Sequence, residues 1–252
     1  QMGYAAVTGL QGGNTGNPGQ THIISSAKHF AGYAQGAGGR NFAPTIASTR
    51  ELYDEILPPF EKVVKEGNVL GIMASHADID GIPAHGNKWL LTELLRDQWG
   101  FNGYVVSDYM DIERLTTFHR VTENPVQAAN LALRSGMDLD LPAATTFRHL
   151  KQALEDDPDL EDYIDMSVKR ILRLKFMLGL FENPFVDPDA CEKFVGSPEN
   201  VEIARKIAEE SIVLLKNENN ILPLNMEQIN SIAVIGPNAT SLETGVYSVS
   251  ND

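Results

Sequence analysis

Four short apolar runs, each meeting a polar or charged residue near its end, constrain what this chain can fold into. His22–Ala27 leads into Lys28-His29-Phe30, and Val69–Ala74 ends at Ser75-His76. Gly103–Val106 ends at Ser107-Asp108, and Met137–Leu141 carries Asp138 and Asp140 before Pro142. Runs this short and apolar, rich in β-branched residues, read as buried parallel strands. Helical patterns lie between them. Ser48-Thr49-Arg50-Glu51 has the form of a capping box, followed by a stripe of Leu52, Ile56, Phe60, Val63 and Val64 that Pro58-Pro59 interrupts. Trp89–Trp99, with Asn87 as its cap, and Val126–Leu133 supply two more helices. Met2–Leu10 suits a helix end, while Gln11–Gln20, Gly32–Arg40 and Asp78–Asn87 read as loops.

The strand–helix unit thus recurs at intervals of roughly 30 to 50 residues, the spacing of βα units with loop insertions. Four such units cannot close an eight-stranded barrel, so the chain is either part of a barrel or an open doubly wound sheet. A doubly wound nucleotide binder would carry a glycine fingerprint after a strand, and neither G-x-G-x-x-G nor a Walker-type motif occurs. The expectation is therefore part of a barrel. From Phe147 onward the pattern becomes helical, with Ile164, Val168, Ile171, Leu172, Leu174 and Leu178 in register over Leu160–Leu180. After a linker-like stretch, a helix is expected from Ser197 to Leu215, and Ile232–Pro237 reads as the first strand of a new α/β unit.

Chemistry concentrates at the strand ends. Asp108 closes a buried strand and is the candidate nucleophile; the plainer reading is an aspartate that caps the next loop. Lys28 and His29 end a neighbouring strand, where cations would keep Asp108 ionised. His76 reads either as a site residue or as a histidine hydrogen-bonding across a loop. His85, His119 and His149 are expected in loops or on helix surfaces, and Asp111 and Glu113 in a solvated loop. One of Asp138 and Asp140 is expected to help order the mouth of the site. No H-E-x-x-H occurs, and Asp78-x-Asp80-Gly81 lacks the remaining EF-hand ligands, so no metal or other cofactor is assigned. No G-x-S-x-G elbow supports a serine hydrolase. The single cysteine, Cys191, excludes an internal disulfide. With 34 acidic against 20 basic residues and a formal charge of −14, a nucleic-acid partner is not expected, because phosphate binding needs a basic surface. No run of about 18 apolar residues indicates a membrane span.

Taken in order, several stretches resemble glycoside hydrolase family 3: AKHF at 27–30, GGRN at 38–41, IMASH at 72–76 running into IDGIP at 79–83, and WLLTELLRDQW at 89–99. They continue with GFNGYVVSD at 100–108, VKRILRLKFMLGLFENPF at 168–185, ESIVLLKNENNILPL at 210–224 and IAVIGPN at 232–238. The resemblance implies an α/β chain: residues 1–182 the later part of a (β/α)₈ TIM-like barrel, 183–226 an interdomain linker with a helix, and 227–252 the start of an α/β sandwich domain. It implies a retaining, exo-acting β-glycosidase in which Asp108 is the nucleophile and Lys28 and His29 bind sugar hydroxyls. His76 would lie near the nucleophile, and Tyr109 would stack on the neighbouring sugar. The loop after Lys28-His29 lacks the His-Asp dyad of members that cleave N-acetylglucosaminides, which points to the glucosidase/xylosidase branch. There the acid/base glutamate comes from the second domain and is not expected in this chain.

The resulting expectation is a β-glucosidase with β-xylosidase as the alternative, acting on β-linked oligosaccharides or aryl and alkyl glycosides. Its other partner would be the rest of the same enzyme, and its compartment the periplasm or the exterior. Two rival readings remain: an inactive or sugar-binding fragment, and an unrelated barrel enzyme such as an aldolase using Lys28 as a Schiff base.

Overall fold

Three of the four apolar runs pair as parallel strands. In the computed structural model, which describes residues 1–241, Ser26–Phe30 (β1), Gly71–Ala74 (β2) and Tyr104–Val106 (β3) form one sheet in the order β1-β2-β3. Ala27 lies opposite Ile72, and Ile72 opposite Val105. Phe30, Ile72 and Val105 are wholly buried. The β1–β2 register shifts between Ala27 and Phe30, where the Lys28–His29 and Phe30–Ala31 peptides are cis.

β1 starts later than the apolar run predicts, and so does β2. The reason is Gln11, the last residue of helix Met2–Gln11 and almost fully buried. Its Oε1 accepts from the Ser25 N–H (3.3 Å), the Ser25 hydroxyl (3.0 Å) and the Leu70 N–H (3.1 Å), while its Nε2 donates to the Asn68 carbonyl (3.0 Å). Backbone donors that a longer ladder would use are satisfied by this one amide.

The fourth run is a correction. Met137–Leu141 builds no regular strand and bridges β3 only at Leu139, opposite Val106. The Asp138 carboxylate accepts the Val105 N–H at 2.8 Å, taking a donor that the ladder would need. The N–H groups of Asp138 and Leu139 both donate to the Val105 carbonyl instead.

Helices link the strands. Trp89–Gln98 joins β2 to β3 and buries Leu90, Leu91, Leu94 and Leu95 on one face, each contributing about 1.5–3 kcal/mol of burial. Asn87 caps it, accepting the Leu90 N–H at 3.0 Å, and its winding is π-type, the Trp99 N–H reaching back to Leu94. Pro125–Ser135 follows β3, capped by Asn124 and ended by Gly136 in the left-handed region. The interrupted stripe resolves into a π-type turn, Leu52–Ile56, and a helix, Pro58–Lys65. The break falls where proline lacks an N–H, and Pro58 suits the first helical position. Gly103 is dictated by close approach, since a Cβ there would stand 2.1 Å from the Leu70 carbonyl oxygen. The long helix covers Leu160–Met177.

The chain divides into two units, Gln1–Phe185 and Val186–Asp252. The second carries helices Pro188–Phe194 and Pro198–Ser211, capped by Asp187 and Ser197. The latter stops short of Leu215, where Ile212-Val213 bring two β-branched residues together. Ile232–Pro237 forms no strand among the described residues: Ile232, Val234 and Ile235 are exposed, and no neighbouring strand offers a ladder. Residues 242–252 of the expected sandwich segment lie outside the described residues. Among those described, no helix is long and apolar enough to cross a membrane.

Candidate active site

Beyond β3 the chain is fixed from two sides before it reaches Asp108. The Ser107 N–H donates to the Leu139 carbonyl, and the Ser107 hydroxyl oxygen accepts the Leu141 N–H at 2.8 Å. The Asp108 N–H donates to Nε2 of His85 at 3.1 Å. Its carboxylate is then held at both oxygens. Oδ1 accepts the Tyr109 N–H at 2.7 Å, and Oδ2 lies 3.0 Å from Nε2 of His76 and 3.4 Å from Nε2 of His29. The side chain keeps 15% of its surface exposed, so the carboxylate is sheltered but reachable.

His76 bridges two carboxylates. Its Nδ1 lies 2.6 Å from Oδ2 of Asp111, whose other oxygen, Oδ1, accepts a hydrogen bond from Arg114 at 2.5 Å. Burial pushes the His76 imidazole down, but hydrogen bonds and charge from Asp108 and Asp111 outweigh it and raise its pKa to about 9. As an imidazolium it donates from both ring nitrogens. Burial pushes the Asp108 carboxyl up, but the hydrogen bonds from His76 and the Tyr109 N–H bring it down to about 2. Asp111 is likewise held low, burial being outweighed by its hydrogen bond from His76, the charge of that imidazolium and its hydrogen bond from Arg114. His85 is wholly buried, which lowers its pKa to about 4. It is therefore neutral, with Nε2 as the acceptor from Asp108 and Nδ1–H facing Asp111 at 3.6 Å. His29 is lowered by burial and by Lys28.

Of the expected site residues, Asp108, His29 and His76 converge. Lys28 is exposed and adjoins them through its charge on His29. Tyr109 is exposed beside the carboxylate it binds through its N–H. One expectation fails: Asp111 is not in a solvated loop. His85 does lie in a short turn, Ala84–Gly86, but that turn is buried, and both residues are nearly fully buried within the site. Asp111 opens the helix Asp111–Thr117 after Met110 turns the chain in the left-handed region (φ 64°). A signal existed, because Asp111 and Leu115 are four apart and share the buried helix face. For His85 there was none; its place depends on the hairpin ladder Asp78–Ile79/Ile82–Pro83 that carries it inward.

Asp138 and Asp140 act as acceptors behind the site, not on Asp108. Asp138 holds β3 to Arg96, Ser167 and Arg170, and Asp140 accepts the N–H groups of Thr146 and Phe147. An aromatic wall stands on the other side of His76. The Phe42 ring lies 4.2 Å from the imidazole between centroids, with the Arg114 guanidinium 4.5 Å over its face. Tyr33 lies 4.6 Å from the His29 ring. Among the described residues no group of three or more His, Cys, Asp or Glu side chains is placed to hold a metal ion.

The chain as a whole is similar to known proteins. Residues 1–174 match the glycosyl hydrolase family 3 N-terminal domain and residues 212–252 its C-terminal domain. A putative β-xylosidase of Formosa agariphila is 52% identical over 237 residues, 94% of this chain and 31% of the relative. A lysosomal β-glucosidase of Dictyostelium discoideum is 36% identical over 247 residues, 96% of this chain and 30% of the relative. A solved β-glucosidase from Erythrobacter marinus superposes with a TM-score of 0.84 at 45% identity, covering 88% of this chain and 29% of that one. The chain spans about a third of the length of the curated relatives it matches. With one family domain matched over residues 1–174 and the other over 212–252, the chain belongs to glycosyl hydrolase family 3.

Proposed function

We propose that this chain carries the nucleophile half of a retaining, exo-acting β-glycosidase whose Asp108 forms a covalent glycosyl-enzyme. The observation that carries the reading is an ionised carboxylate, bound at both oxygens yet partly open, at the end of a buried strand. In the first step an Asp108 oxygen bonds to the anomeric carbon while the glycosidic bond breaks, and the leaving oxygen takes a proton from a general acid. In the second, water attacks the same carbon, its proton passes to the conjugate base of that acid, and Asp108 departs as a carboxylate. Asp111 is unsuited to be the acid, because His76 and Arg114 hold it ionised. The acid/base is therefore assigned to the rest of the enzyme. Exposed Lys28 and largely sheltered His29 bind sugar hydroxyls, and exposed Tyr109 offers a ring to the neighbouring sugar.

The fold reading that accompanies this takes β1, β2, β3 and the Leu139 bridge as successive staves of a (β/α)₈ barrel, with the sandwich domain beginning after the linker. A terminal β-glucoside is the first substrate class, supported by structural likeness to several β-glucosidases. A β-xyloside is the second, favoured by the 52% identity to a putative β-xylosidase. A periplasmic or secreted location accords with a relative from Salmonella typhimurium named a periplasmic β-glucosidase.

The test is to incubate the complete enzyme with a 2-deoxy-2-fluoroglucoside and map the label by peptide mass spectrometry. Label on Asp108 is expected. Label elsewhere, with Asp108→Asn still fully active, sinks the proposal. Turnover of aryl glucoside against aryl xyloside separates the two substrates.

A further inference from the structure

Asp111 touches nothing that reacts, yet it is nearly fully buried and spends its carboxylate on His76 and Arg114. We infer that Asp111 is a positioning residue: through His76 it keeps a charged hydrogen-bond donor on Oδ2 of Asp108, and so makes that carboxylate a good leaving group from the glycosyl-enzyme. The inference rests on the proposed role of Asp108.

Before attack, His76 stands between two carboxylates, 3.0 Å from Asp108 and 2.6 Å from Asp111. When Asp108 becomes an ester it loses its negative charge. An imidazolium facing Asp108 alone would then be a sheltered cation without a partner, and would shed its proton. Asp111 retains its charge throughout, so the imidazolium survives in the intermediate. It can then meet the carboxylate that re-forms as the ester bond breaks, and a charge-assisted bond is about twice as strong as a neutral one. In the forward step the same bond is a cost, since it must weaken as Oδ2 gives up electron density. The pair therefore favours the second step.

The surroundings fit this use. The charged and titratable groups facing His76 and its partners are Asp108, Asp111, His29 at 6.3 Å between rings, and Tyr33 at 6.2 Å. Behind Asp111 stand Arg114 and neutral His85, with His119 and Asp78 farther out and Lys28 beyond His29. Phe42 packs on the imidazole, limiting its rotation and its access to water.

The experiment uses the complete enzyme and a 2,4-dinitrophenyl glycoside, whose leaving group needs no proton, so that the second step limits turnover. Asp111→Asn should lower kcat about tenfold, the difference between a charged and a neutral hydrogen bond. It should lower KM as well, because the glycosyl-enzyme accumulates. The alkaline limb of kcat should move to lower pH. Asp111→Glu should restore part of both. Arg114→Gln leaves the charge of Asp111 in place, so its alkaline limb should stay at or above that of the wild type. If Asp111→Asn leaves the limb and the lifetime of the 2-fluoroglycosyl label unchanged, or if both variants move the limb down together, the inference fails. Absence of label from wild-type Asp108 would instead overturn the underlying reading.

Discussion

Asp108, just beyond the end of β3, and Asp138, in the segment that bridges β3 at Leu139, have opposite fates. Asp138 has no exposed side-chain surface, and its oxygens meet Arg96 at 2.7 Å, Arg170 at 2.9 Å, the Ser167 hydroxyl at 2.9 Å and the Val105 N–H at 2.8 Å. Its lone pairs are spent on structure. Asp108 is met by imidazoles and one backbone N–H and keeps an open side. A carboxylate saturated by guanidinium groups is a bolt, whereas one held by imidazoles at a partly open mouth stays available to an electrophile. The difference lies in the partners and in access, not in the residue.

The contrast can be broken by exchanging effects. Asp108→Asn in the complete enzyme should reduce aryl glycoside turnover by roughly three or more orders of magnitude, measured alongside an unfolding curve that stays cooperative. Asp138→Asn should do the reverse. It leaves Arg96 buried beside Arg170 without its full counter-charge, at a cost of about 3–5 kcal/mol in unfolding free energy, read from urea denaturation. Activity per folded molecule should remain. Loss of activity without loss of stability in that variant would erase the distinction.

Gly103→Ala probes the strand to which both aspartates are tied. Its carbonyl accepts from Arg96 at 3.1 Å, and a Cβ would collide with Leu70. A loss of about 1–3 kcal/mol in thermal unfolding is expected, as for overpacking elsewhere.

The smallest effect is on pH dependence. His76 is raised from 6.5 to about 9, so its contribution to stability is complete below pH 6.5 and is lost as pH rises through about 9. Asp108 is lowered from 3.8 to about 2, so its contribution is present above pH 3.8 and lost as pH falls through about 2. Denaturation across pH 6–10 should show the alkaline decline in the wild type and in Asp138→Asn, and its loss in His76→Gln. An unchanged decline in His76→Gln would assign it to another group.

The parallel strands and their helices were legible because β-branched runs and leucine spacing are local signals. Ser48 and Asn87 each accept the backbone N–H three residues on, as caps read from sequence should. The fourth run was misread because periodicity cannot reveal that a side chain, Asp138, takes the donor a ladder needs. In the site, Asp108, His29 and His76 were found at strand ends. Asp111 and His85 were passed over because a polar residue near a turn reads as solvated until something packs over it.

The sequence by itself determined where the Asp108 carboxylate stands, since a buried strand can release its last residues only at its open end. It also carried the family, in motifs spread along almost the whole chain. Only the tertiary structure decided what charge surrounds that carboxylate. His76, His85 and Asp111 come from separate segments, and the proton each carries depends on burial and on partners that lie within a few ångströms only after folding.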